Sequence, residues 1–310
     1  MYDIAIVGAG PAGLTGGIYA GRAGKKVIIF EKNAIGGQIT YTKEIDNFPA
    51  SMGSSGIEFS MKLKEQAETF GAKIVPENIK SIEKKTDENQ YFQIVGGNDT
   101  YKAKSIILAT GLSYRKTGLE NEENLIGKGI SFCAMCDGAF FRNKTVAVYG
   151  GGNTALEDAS ALSEICKNVI IIHRRNRFRG EDYLVKELEK KENVIFEMEK
   201  TISKLHGEDK ISAITIKDVN TEEERIIEIA GLFVAIGQIP NGKEFENIAP
   251  LDDRGYYDID EECKVEEGIF VAGDARKKST RQLVTAVSDG AVAANAACRY
   301  IDKLKGNEYI

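Results

Sequence analysis

Two cysteines separated by two residues lie near the middle of the chain, in the segment 131–138, Ser-Phe-Cys-Ala-Met-Cys-Asp-Gly. A C-x-x-C loop can close a reversible disulfide in which one thiol has a lowered pKa. Structural zinc is the other common use of such a pair, but it needs four ligands, and the sequence has no second C-x-x-C or C-x-x-H. Asp137 follows Cys136 directly and could serve as a proton donor or acceptor, or be only a turn residue. The pattern favours a redox dithiol formed by Cys133 and Cys136 and predicts no metal site.

A glycine-rich turn near the N-terminus, Gly8-Ala-Gly-Pro-Ala-Gly13, follows an apolar strand and opens a helical segment. In such a turn the first glycine makes the bend, the second lets a pyrophosphate approach, and the third lets helix and strand pack closely. The pyrophosphate then lies at the helix N-terminus, where free N–H groups favour negative charge. Glu31 ends the following strand, where a carboxylate can bind ribose hydroxyls. The predicted contacts of this first dinucleotide site are Gly8, Gly10, Pro11, Ala12, Gly13, Glu31 and Lys32.

The same pattern recurs 142 positions later, in the turn that starts at Gly150, but the acidic residue is replaced. His173, Arg174 and Arg175 stand at the end of the second strand, and Arg179 follows. Guanidinium groups bind phosphate, whereas a carboxylate would repel the 2′-phosphate of NADP. We therefore expect tightly held FAD at the first turn and exchanging NADPH at the second. The predicted NADPH contacts are Gly150, Gly152, Asn153, Thr154, His173, Arg174, Arg175 and Arg179.

The elements that position these groups form one internal repeat. Each strand–turn–helix–strand unit is followed by polar, alternating residues that predict a small antiparallel meander, at 79–103 and 210–229. The final strand and the helix from about Arg281 have no counterpart in the second unit, so we expect them to complete the first domain. The fold class is therefore α/β, with two Rossmann-like dinucleotide-binding domains of the FAD/NAD(P)-binding, three-layer ββα type, the second inserted into the first. The predicted boundaries are 1–112 and 245–310 for the FAD domain and 113–244 for the NADPH domain.

Composition excludes several other classes. The net charge of −6 over 310 residues argues against a nucleic-acid partner, which requires clustered basic residues. No apolar run reaches the ~20 residues that span a bilayer, and the N-terminus does not resemble a signal peptide. Five cysteines are not a disulfide framework, so Cys166, Cys263 and Cys298 are interpreted as buried apolar residues. A reducing, cytoplasmic setting fits this pattern.

Taken together, these motifs closely resemble the low-molecular-weight, bacterial-type thioredoxin reductases along essentially the whole chain. Besides the turns and the redox segment, the resemblance rests on 36–39 (GGQI), 46–49 (DNFP), 109–111 (ATG), 235–237 (AIG) and 273–274 (GD) with 281–282 (RQ). It implies further FAD contacts at Gly37, Gln38, Asn47, Thr110, Gly111, Gly273, Asp274, Arg281 and Gln282. It also implies that Cys136 faces the flavin, that Cys133 attacks the disulfide of the protein substrate, and that Asp137 is the acid/base group. A cytoplasmic homodimer is implied in the same way. Two departures from relatives are Met135 and the basic run 276–280.

The expected reaction is therefore the reduction of thioredoxin by NADPH, with electrons passing through FAD and the cysteine pair. A reductase of the same core that serves a peroxiredoxin or another carrier is an alternative, as is a non-catalytic redox sensor. Relatives that accept electrons from ferredoxin lack the arginine cluster that follows His173. Because the cysteine pair precedes the second turn by only 14 residues, it must move with the NADPH domain. Nicotinamide and disulfide would then compete for one flavin face, which predicts hinge bending at 112–118 and 240–243.

Overall fold

A computed structural model describes residues 1–41, 45, 47–51, 53–86 and 90–306, and at residues 135 and 136 it describes the backbone only. The strands are β1 (Tyr2–Val7), β2 (Val27–Glu31), β3 (Lys73–Pro76), β4 (Ser81–Lys85), β5 (Tyr91–Val95), β6 (Thr100–Leu108), β7 (Leu112–Tyr114), β8 (Ile130–Ser131), β9 (Thr145–Gly150), β10 (Asn168–His173), β11 (Val194–Met198), β12 (Lys200–His206), β13 (Ala213–Asp218), β14 (Glu224–Glu228), β15 (Gly231–Ala235), β16 (Gln238–Pro240), β17 (Lys264–Glu266) and β18 (Ile269–Val271). The α-helices are α1 (Pro11–Arg22), α2 (Gly56–Thr69), α3 (Glu122–Leu125), α4 (Ala134–Asp137), α5 (Asn153–Ser163), α6 (Asp182–Glu189) and α7 (Leu283–Leu304). Short 3₁₀ helices cover Gly37–Tyr41, Gly138–Phe141 and Lys243–Phe245.

The chain divides into two compact units, residues 1–113 with 240–310, and residues 114–239. Both crossings between the units lie in the two-stranded sheet formed by β7 and β16. The predicted insertion, 113–244, is one residue longer at its start and five residues longer at its end than the second unit. Residues 241 and 242 belong to the first unit because the Asn241 N–H donates to the Gly111 carbonyl (3.0 Å) and the Tyr257 hydroxyl donates to the Gly242 carbonyl (3.2 Å).

The first unit is built on an eight-stranded sheet with the path β17-β18-β6-β1-β2-β3, to which the β4–β5 hairpin is joined through β6. Its central strands are parallel and apolar; the run Ile4–Val7 in β1, for example, is buried. Such runs are typical of strands that are covered on both faces. On one face α1 packs against α7 so closely that a Cβ added at Gly290 would lie 2.1 Å from the Ala12 carbonyl oxygen. The C-terminal helix therefore completes the domain that the N-terminal strand begins, as the sequence predicts.

The second unit contains a parallel five-stranded sheet with the order β11-β10-β9-β15-β8. Helices α5 and α6 cover it through a core that includes Leu156, Leu162 and Leu188. The predicted meander is present but is longer than expected, because β12 precedes β13 and β14 in one antiparallel sheet. In the first unit the meander is β4–β5–β6, and its last strand continues into the parallel sheet. Both units thus carry the strand–turn–helix pattern that positions a dinucleotide.

Candidate redox and dinucleotide sites

The first glycine turn joins β1 to α1, and two of its glycines are required by the packing of the chain itself. Gly8 has φ +107°, and a Cβ there would lie 2.2 Å from the Ala109 carbonyl oxygen. A Cβ at Gly13 would lie 1.9 Å from the Gly8 carbonyl oxygen. These distances are far below van der Waals contact, so the bend and the close helix–strand approach both exclude a side chain.

Gly10 differs from these two, because the chain leaves space beside it. An added Cβ would find only the Gly36 carbonyl oxygen within 4 Å, at 3.9 Å. Gly10 is also the N-cap of α1, and it has no side chain to bond the free N–H groups, while Pro11 occupies the first turn. This open space beside the uncapped N–H groups at the start of α1 fits a pyrophosphate and is called the cradle below.

The carboxylate of Glu31 is held at the rim of this cradle by two backbone donors. The Ala9 N–H donates to Oε2 and the Asn33 N–H donates to Oε1, each at 2.8 Å. The side chain of Lys32, the neighbouring predicted contact, is exposed. The fold thereby fixes the carboxylate while each oxygen keeps acceptor capacity for a ribose hydroxyl.

Residues distant in sequence converge on the same turn. The Gly36 N–H donates to the Ala9 carbonyl at 2.8 Å, which places Gly37 and the following 3₁₀ helix beside the cradle. Gln38 Nε2 donates to the Leu112 carbonyl at 2.7 Å. Thr110 and Gly111 follow β6, the strand that lies parallel to β1, and the Asn47 amide donates to Gln282 Oε1 at 3.1 Å. The structure therefore gathers these predicted FAD contacts at one end of the first sheet.

Asp274 supplies a carboxylate with one oxygen that accepts no hydrogen bond from the described residues. Its Oδ1 atom is buried without a hydrogen bond, and the nearest cation, Lys278 Nζ, lies 3.4 Å away. Burial raises the pKa of Asp274, an effect opposed by Lys278. A buried acceptor without a donor is costly, so this atom fits a ligand with hydroxyl groups. Gly273, with φ +85°, makes the bend that precedes Asp274.

A buried ion network that sequence reasoning missed lies behind Asp274. Asp289 of α7 accepts hydrogen bonds from the Gly273 N–H (3.0 Å), Arg276 Nη1 (2.8 Å) and Lys278 Nζ (3.0 Å). Arg276 Nη2 donates in turn to the Asp260 carbonyl at 2.6 Å. The basic run 276–280 is thus a structural part of the loop 272–282 between β18 and α7, which is called the cofactor loop below. The only sequence signal was a cluster of charges next to an apolar helix.

The side chains of Arg281 and Gln282 bind mainly to other groups of the protein itself. The Arg281 guanidinium donates to the carbonyl oxygens of Asp274 (3.2 Å) and Arg276 (3.1 Å), and it lies over the Tyr256 ring at 4.2 Å. Gln282 is the N-cap of α7 and exchanges hydrogen bonds with Thr285. Both residues therefore shape the start of α7, whose N-terminus carries partial positive charge.

The second glycine turn joins β9 to α5 and shows the same division of roles. A Cβ at Gly150 would lie 2.3 Å from the Ala235 carbonyl oxygen, and one at Gly151 would lie 2.2 Å from the His173 ring. An added Cβ at Gly152, the N-cap of α5, meets nothing within 4 Å. This open position corresponds to Gly10 of the first turn and fits a second pyrophosphate.

His173 is placed beneath this turn and not among the exposed cations. Its residue exposure is 5%, its ring stacks on Phe178 with centroids 5.3 Å apart, and Nε2 lies 3.1 Å from the Arg177 carbonyl oxygen. Burial lowers the pKa of His173, and the nearby arginines add to this effect. The ring is therefore neutral at pH 7 and supports the turn without contributing charge.

The arginines follow on a loop that folds back onto the turn. The Arg179 N–H donates to the Gly151 carbonyl at 2.7 Å, and the Glu181 N–H donates to Asn153 Oδ1 at 2.9 Å. The side chains of Arg174, Arg175 and Arg179 are exposed, as is that of Thr154. A cavity of about 710 Å³ is lined by ten residues, among them Arg175, Arg177 and Arg179 and two acidic residues, Asp182 and Glu189. This arrangement offers guanidinium groups beside an open pyrophosphate cradle, which fits a 2′-phosphate.

The redox segment lies between β8 and β9 of the same unit. Cys133 is disulfide-bonded, its N–H donates to Ser131 Oγ (3.1 Å), and its carbonyl accepts the Asp137 N–H (3.2 Å). The side chain of Cys136 lies outside the described atoms, so its role stays a prediction. Asp137 ends α4 and is the residue predicted to exchange protons. The turn thus presents a sulfur that can be reduced.

Cys166, Cys263 and Cys298 are free and buried, as expected. Burial raises the pKa of all three thiols, to about 12 for Cys263 and about 11 for Cys298. These thiols are unreactive at neutral pH because the thiolate is the reactive form.

Residues 2–290 match the family model for pyridine nucleotide-disulphide oxidoreductases. The chain belongs to this family. It is 39% identical to thioredoxin reductase of Bacillus subtilis over 98% of this chain and 96% of that protein. It is 40% identical to thioredoxin reductase of Treponema pallidum, with 98% of each chain covered. The crystal structure of Lactococcus lactis thioredoxin reductase (FR conformation) superposes with a TM-score of 0.85 at 35% identity, covering 98% of this chain and all of that chain.

Within the family this chain is a thioredoxin reductase of the bacterial type, and its cofactors are FAD and NADPH. The open cradles at Gly10 and Gly152 and the buried acceptor of Asp274 fit these two groups. Across the described residues, no helix is long and apolar enough to cross a membrane.

One exposed aromatic residue of this reductase was not singled out from the sequence. Phe140 follows the redox turn, and 73% of its surface is exposed. Its carbonyl oxygen accepts a hydrogen bond from Lys144 Nζ at 3.0 Å, which fixes the backbone there. Large exposed aromatics are enriched at protein–protein contacts. The sequence gives no sign of this exposure, because Phe141, the next residue, is buried.

Proposed function

We propose that this reductase transfers electrons from NADPH to the disulfide of a thioredoxin or thioredoxin-like protein, through FAD and the Cys133–Cys136 pair. The main observation that supports this proposal is that a disulfide-bonded Cys133 belongs to the same unit as a dinucleotide turn flanked by exposed arginines. FAD, when bound, supplies the relay between a two-electron hydride donor and a disulfide.

The first unit would bind FAD through groups that are already fixed by the fold. The α1 N-terminus at Gly10 would receive the pyrophosphate, and Glu31 and Asp274 would accept hydrogen bonds from hydroxyl groups. Gly37, Gln38, Asn47, Thr110 and Gly111 would complete the wall. This assignment is supported by the convergence of these residues at one end of the sheet.

The second unit would bind NADPH through the α5 N-terminus and the arginine loop. Arg174, Arg175 and Arg179 would neutralise the 2′-phosphate, while neutral His173 would hold the turn from below. Asn153 ties the loop to the helix start through Glu181, so the pyrophosphate and the 2′-phosphate groups would be read by one rigid body.

Exchange with the protein substrate would start from the reduced pair. The Cys133 thiolate would attack one sulfur of the partner disulfide, forming a mixed disulfide and releasing a partner thiolate. The second thiol of the pair would then attack Cys133 Sγ, which restores the enzyme disulfide and frees the reduced partner. Asp137 would donate and accept the protons that the two departing thiolates require. Phe140 would offer an apolar contact to the partner.

The finer physiological setting is also part of this proposal. The resemblance to bacterial-type reductases supports a cytoplasmic homodimer whose substrate is a protein and not a nucleic acid. Sedimentation velocity of the purified enzyme measures the oligomeric state directly; a monomer at micromolar concentration would contradict the dimer.

Two domain arrangements should alternate during turnover, because the FAD contacts and the redox pair belong to different units. A nicotinamide and a disulfide each need near-contact distance to the flavin to react. A crosslink that holds the redox turn against the flavin should block reduction by NADPH and leave exchange with small dithiols intact. Normal turnover with NADPH in the crosslinked enzyme would contradict the proposal.

The deciding experiment is NADPH oxidation by the FAD-loaded enzyme with a panel of acceptors: thioredoxins, thioredoxin-like proteins and a peroxiredoxin. Turnover with a thioredoxin and its loss in Cys133→Ser would support the proposal. The Cys166→Ser variant is the matched control and should keep full activity, because Cys166 is buried and free. Turnover with the peroxiredoxin alone would favour the other carrier system.

A further inference from the structure

Helix α5 connects the two working parts of the second unit. Its N-terminus is the open cradle at Gly152, and its middle lies against the redox turn. Ala134, between the two cysteines, is 4% exposed and packs in one cluster with Ala155 and Ala159 of the helix. A Cβ at Gly138, which follows the turn, would lie 3.1 Å from Leu162 Cδ2. The redox turn therefore rests directly on α5.

One carboxyl group lies at this contact. Asp158 of α5 accepts a hydrogen bond from the backbone N–H of Ala134. Burial raises the pKa of Asp158 to about 7; the Ala134 hydrogen bond opposes the rise, and the negative charge of Glu157 adds to it. The reaction outlined above gives Asp158 no role, although it is bonded to the residue between the two cysteines.

We propose that Asp158 is a positioning residue of the redox pair, which fixes the turn through the Ala134 N–H and controls through its own charge how readily the reduced pair loses a thiol proton. The inference rests on the proposed redox role of Cys133. It adds a group that touches neither substrate nor cofactor and acts through the turn.

The sign of the effect follows from proton balance. Reduction of the disulfide takes up two electrons and two protons to give two thiols, and exchange then requires one thiol to lose its proton. A nearby carboxylate disfavours a thiolate and so raises the pKa of that thiol. The groups that act on Asp158 are the Glu157 carboxylate of its own helix and the N–H of Ala134, the residue that directly follows Cys133 in the chain. Below about pH 6 Asp158 is protonated and the penalty on the thiolate disappears.

The test compares Asp158→Asn with Glu157→Gln in the FAD-loaded enzyme. The asparagine keeps an oxygen that can accept the Ala134 N–H, and the control removes the neighbouring, exposed carboxylate of the same helix. After reduction with dithiothreitol, the rate of Cys133 alkylation by iodoacetamide is measured by mass spectrometry from pH 5.5 to 9. The buried thiols of Cys166, Cys263 and Cys298 should not react in the folded protein.

The wild-type and Asp158→Asn rates should coincide below about pH 6 and diverge above pH 7. There the variant should react roughly threefold to tenfold faster, since one pKa unit is a tenfold change in thiolate at the lower end of the titration. Glu157→Gln should follow the wild type. Coincident profiles at every pH, or a constant ratio between them, would overturn the proposal, because a merely structural change has no reason to vanish at low pH.

Two further outcomes distinguish a failure of this inference from a failure of the proposed function. If Asp158→Asn fails to retain FAD or fold, the wild-type profile decides alone: a second inflection near pH 7 is expected, and a single ionisation would overturn the role of Asp158. If Cys133 reacts equally before and after reduction, the redox assignment fails instead, whatever the profile of Asp158→Asn.

Discussion

The two dinucleotide turns have almost the same backbone but very different surroundings. Each has glycines that its own packing requires and one open glycine, Gly10 or Gly152, beside an uncapped helix. The first turn adjoins fixed carboxylates and a buried ion network, whereas the second adjoins exposed arginines. The backbone that the two turns share thus predicts only that each binds a pyrophosphate. We therefore propose that the surroundings of each turn determine which dinucleotide binds there.

The largest expected effect separates packing glycines from ligand glycines. Gly13→Ala should prevent the first unit from folding, because the new Cβ would lie 1.9 Å from a backbone oxygen that cannot move away. Gly10→Ala has the required space and should fold, but it should bind FAD at least 10-fold more weakly, since the added methyl occupies the cradle. Circular dichroism and the FAD content after gel filtration measure the two outcomes. Equal loss of fold in both variants would contradict the division.

The next effect concerns the buried ions behind Asp274. Asp289→Asn leaves Arg276 and Lys278 without their shared carboxylate, and breaking such a buried pair costs about 3–5 kcal/mol. We expect a lower unfolding midpoint and rapid loss of FAD on dilution.

Lys278→Gln and Lys277→Gln form a matched pair of milder changes at the same loop. Lys278 contacts Asp289 and Asp274, whereas Lys277 pairs with Asp258 at the exposed surface. Only the first should weaken FAD binding, as measured by titration of the apoprotein. Equal effects would mean that the network holds no part of the cofactor loop.

A smaller, selective effect is expected from the exposed arginines. Replacing Arg174 and Arg175 by glutamine should raise the KM for NADPH far more than the KM for NADH, because each charge-assisted contact to phosphate contributes roughly 1.5–3 kcal/mol. The preference for NADPH should fall by about 10–100-fold or more. Arg225→Gln is the matched control, because Arg225 lies on β14 of the same unit and does not line the cavity beside Arg175. Equal losses with both cofactors would assign these arginines to the fold.

The smallest effect is a pH dependence confined to the second turn. The folded state holds His173 with a lowered pKa, so only the unfolded chain takes up this proton as the pH falls through about 6.5. The stabilising contribution of the neutral ring is complete above that pH and is lost progressively below it. His173→Gln should therefore flatten the decline of stability between pH 7 and 5. His206→Gln is the control, and an identical decline in both variants would contradict this origin.

The sequence predicted the parts of these sites whose chemistry is local. Glycine spacing, the acid at Glu31 and the arginines after His173 each follow from one strand–turn–helix segment. Residues joined by tertiary packing were missed: Asp289 reaches Gly273 across 16 positions, and Asp158 meets Ala134 across 24. His173 is predicted as an NADPH contact, and the structure adds that its ring is buried, which cannot be seen in a motif. The meander strand β12 was missed because its alternation is broken by a register shift near Ser203.

The discontinuity of the first unit has a consequence for how the protein is made. Strand β18 pairs with β6, and α7 packs on α1, so the first sheet cannot be completed until the last residues leave the ribosome. The second unit is continuous and emerges earlier. During translation the NADPH domain should therefore fold before residues 1–113 can pair with β18 and pack against α7. During that interval the apolar, unpaired strands of the first sheet are the part of the nascent chain that we expect to be prone to aggregation.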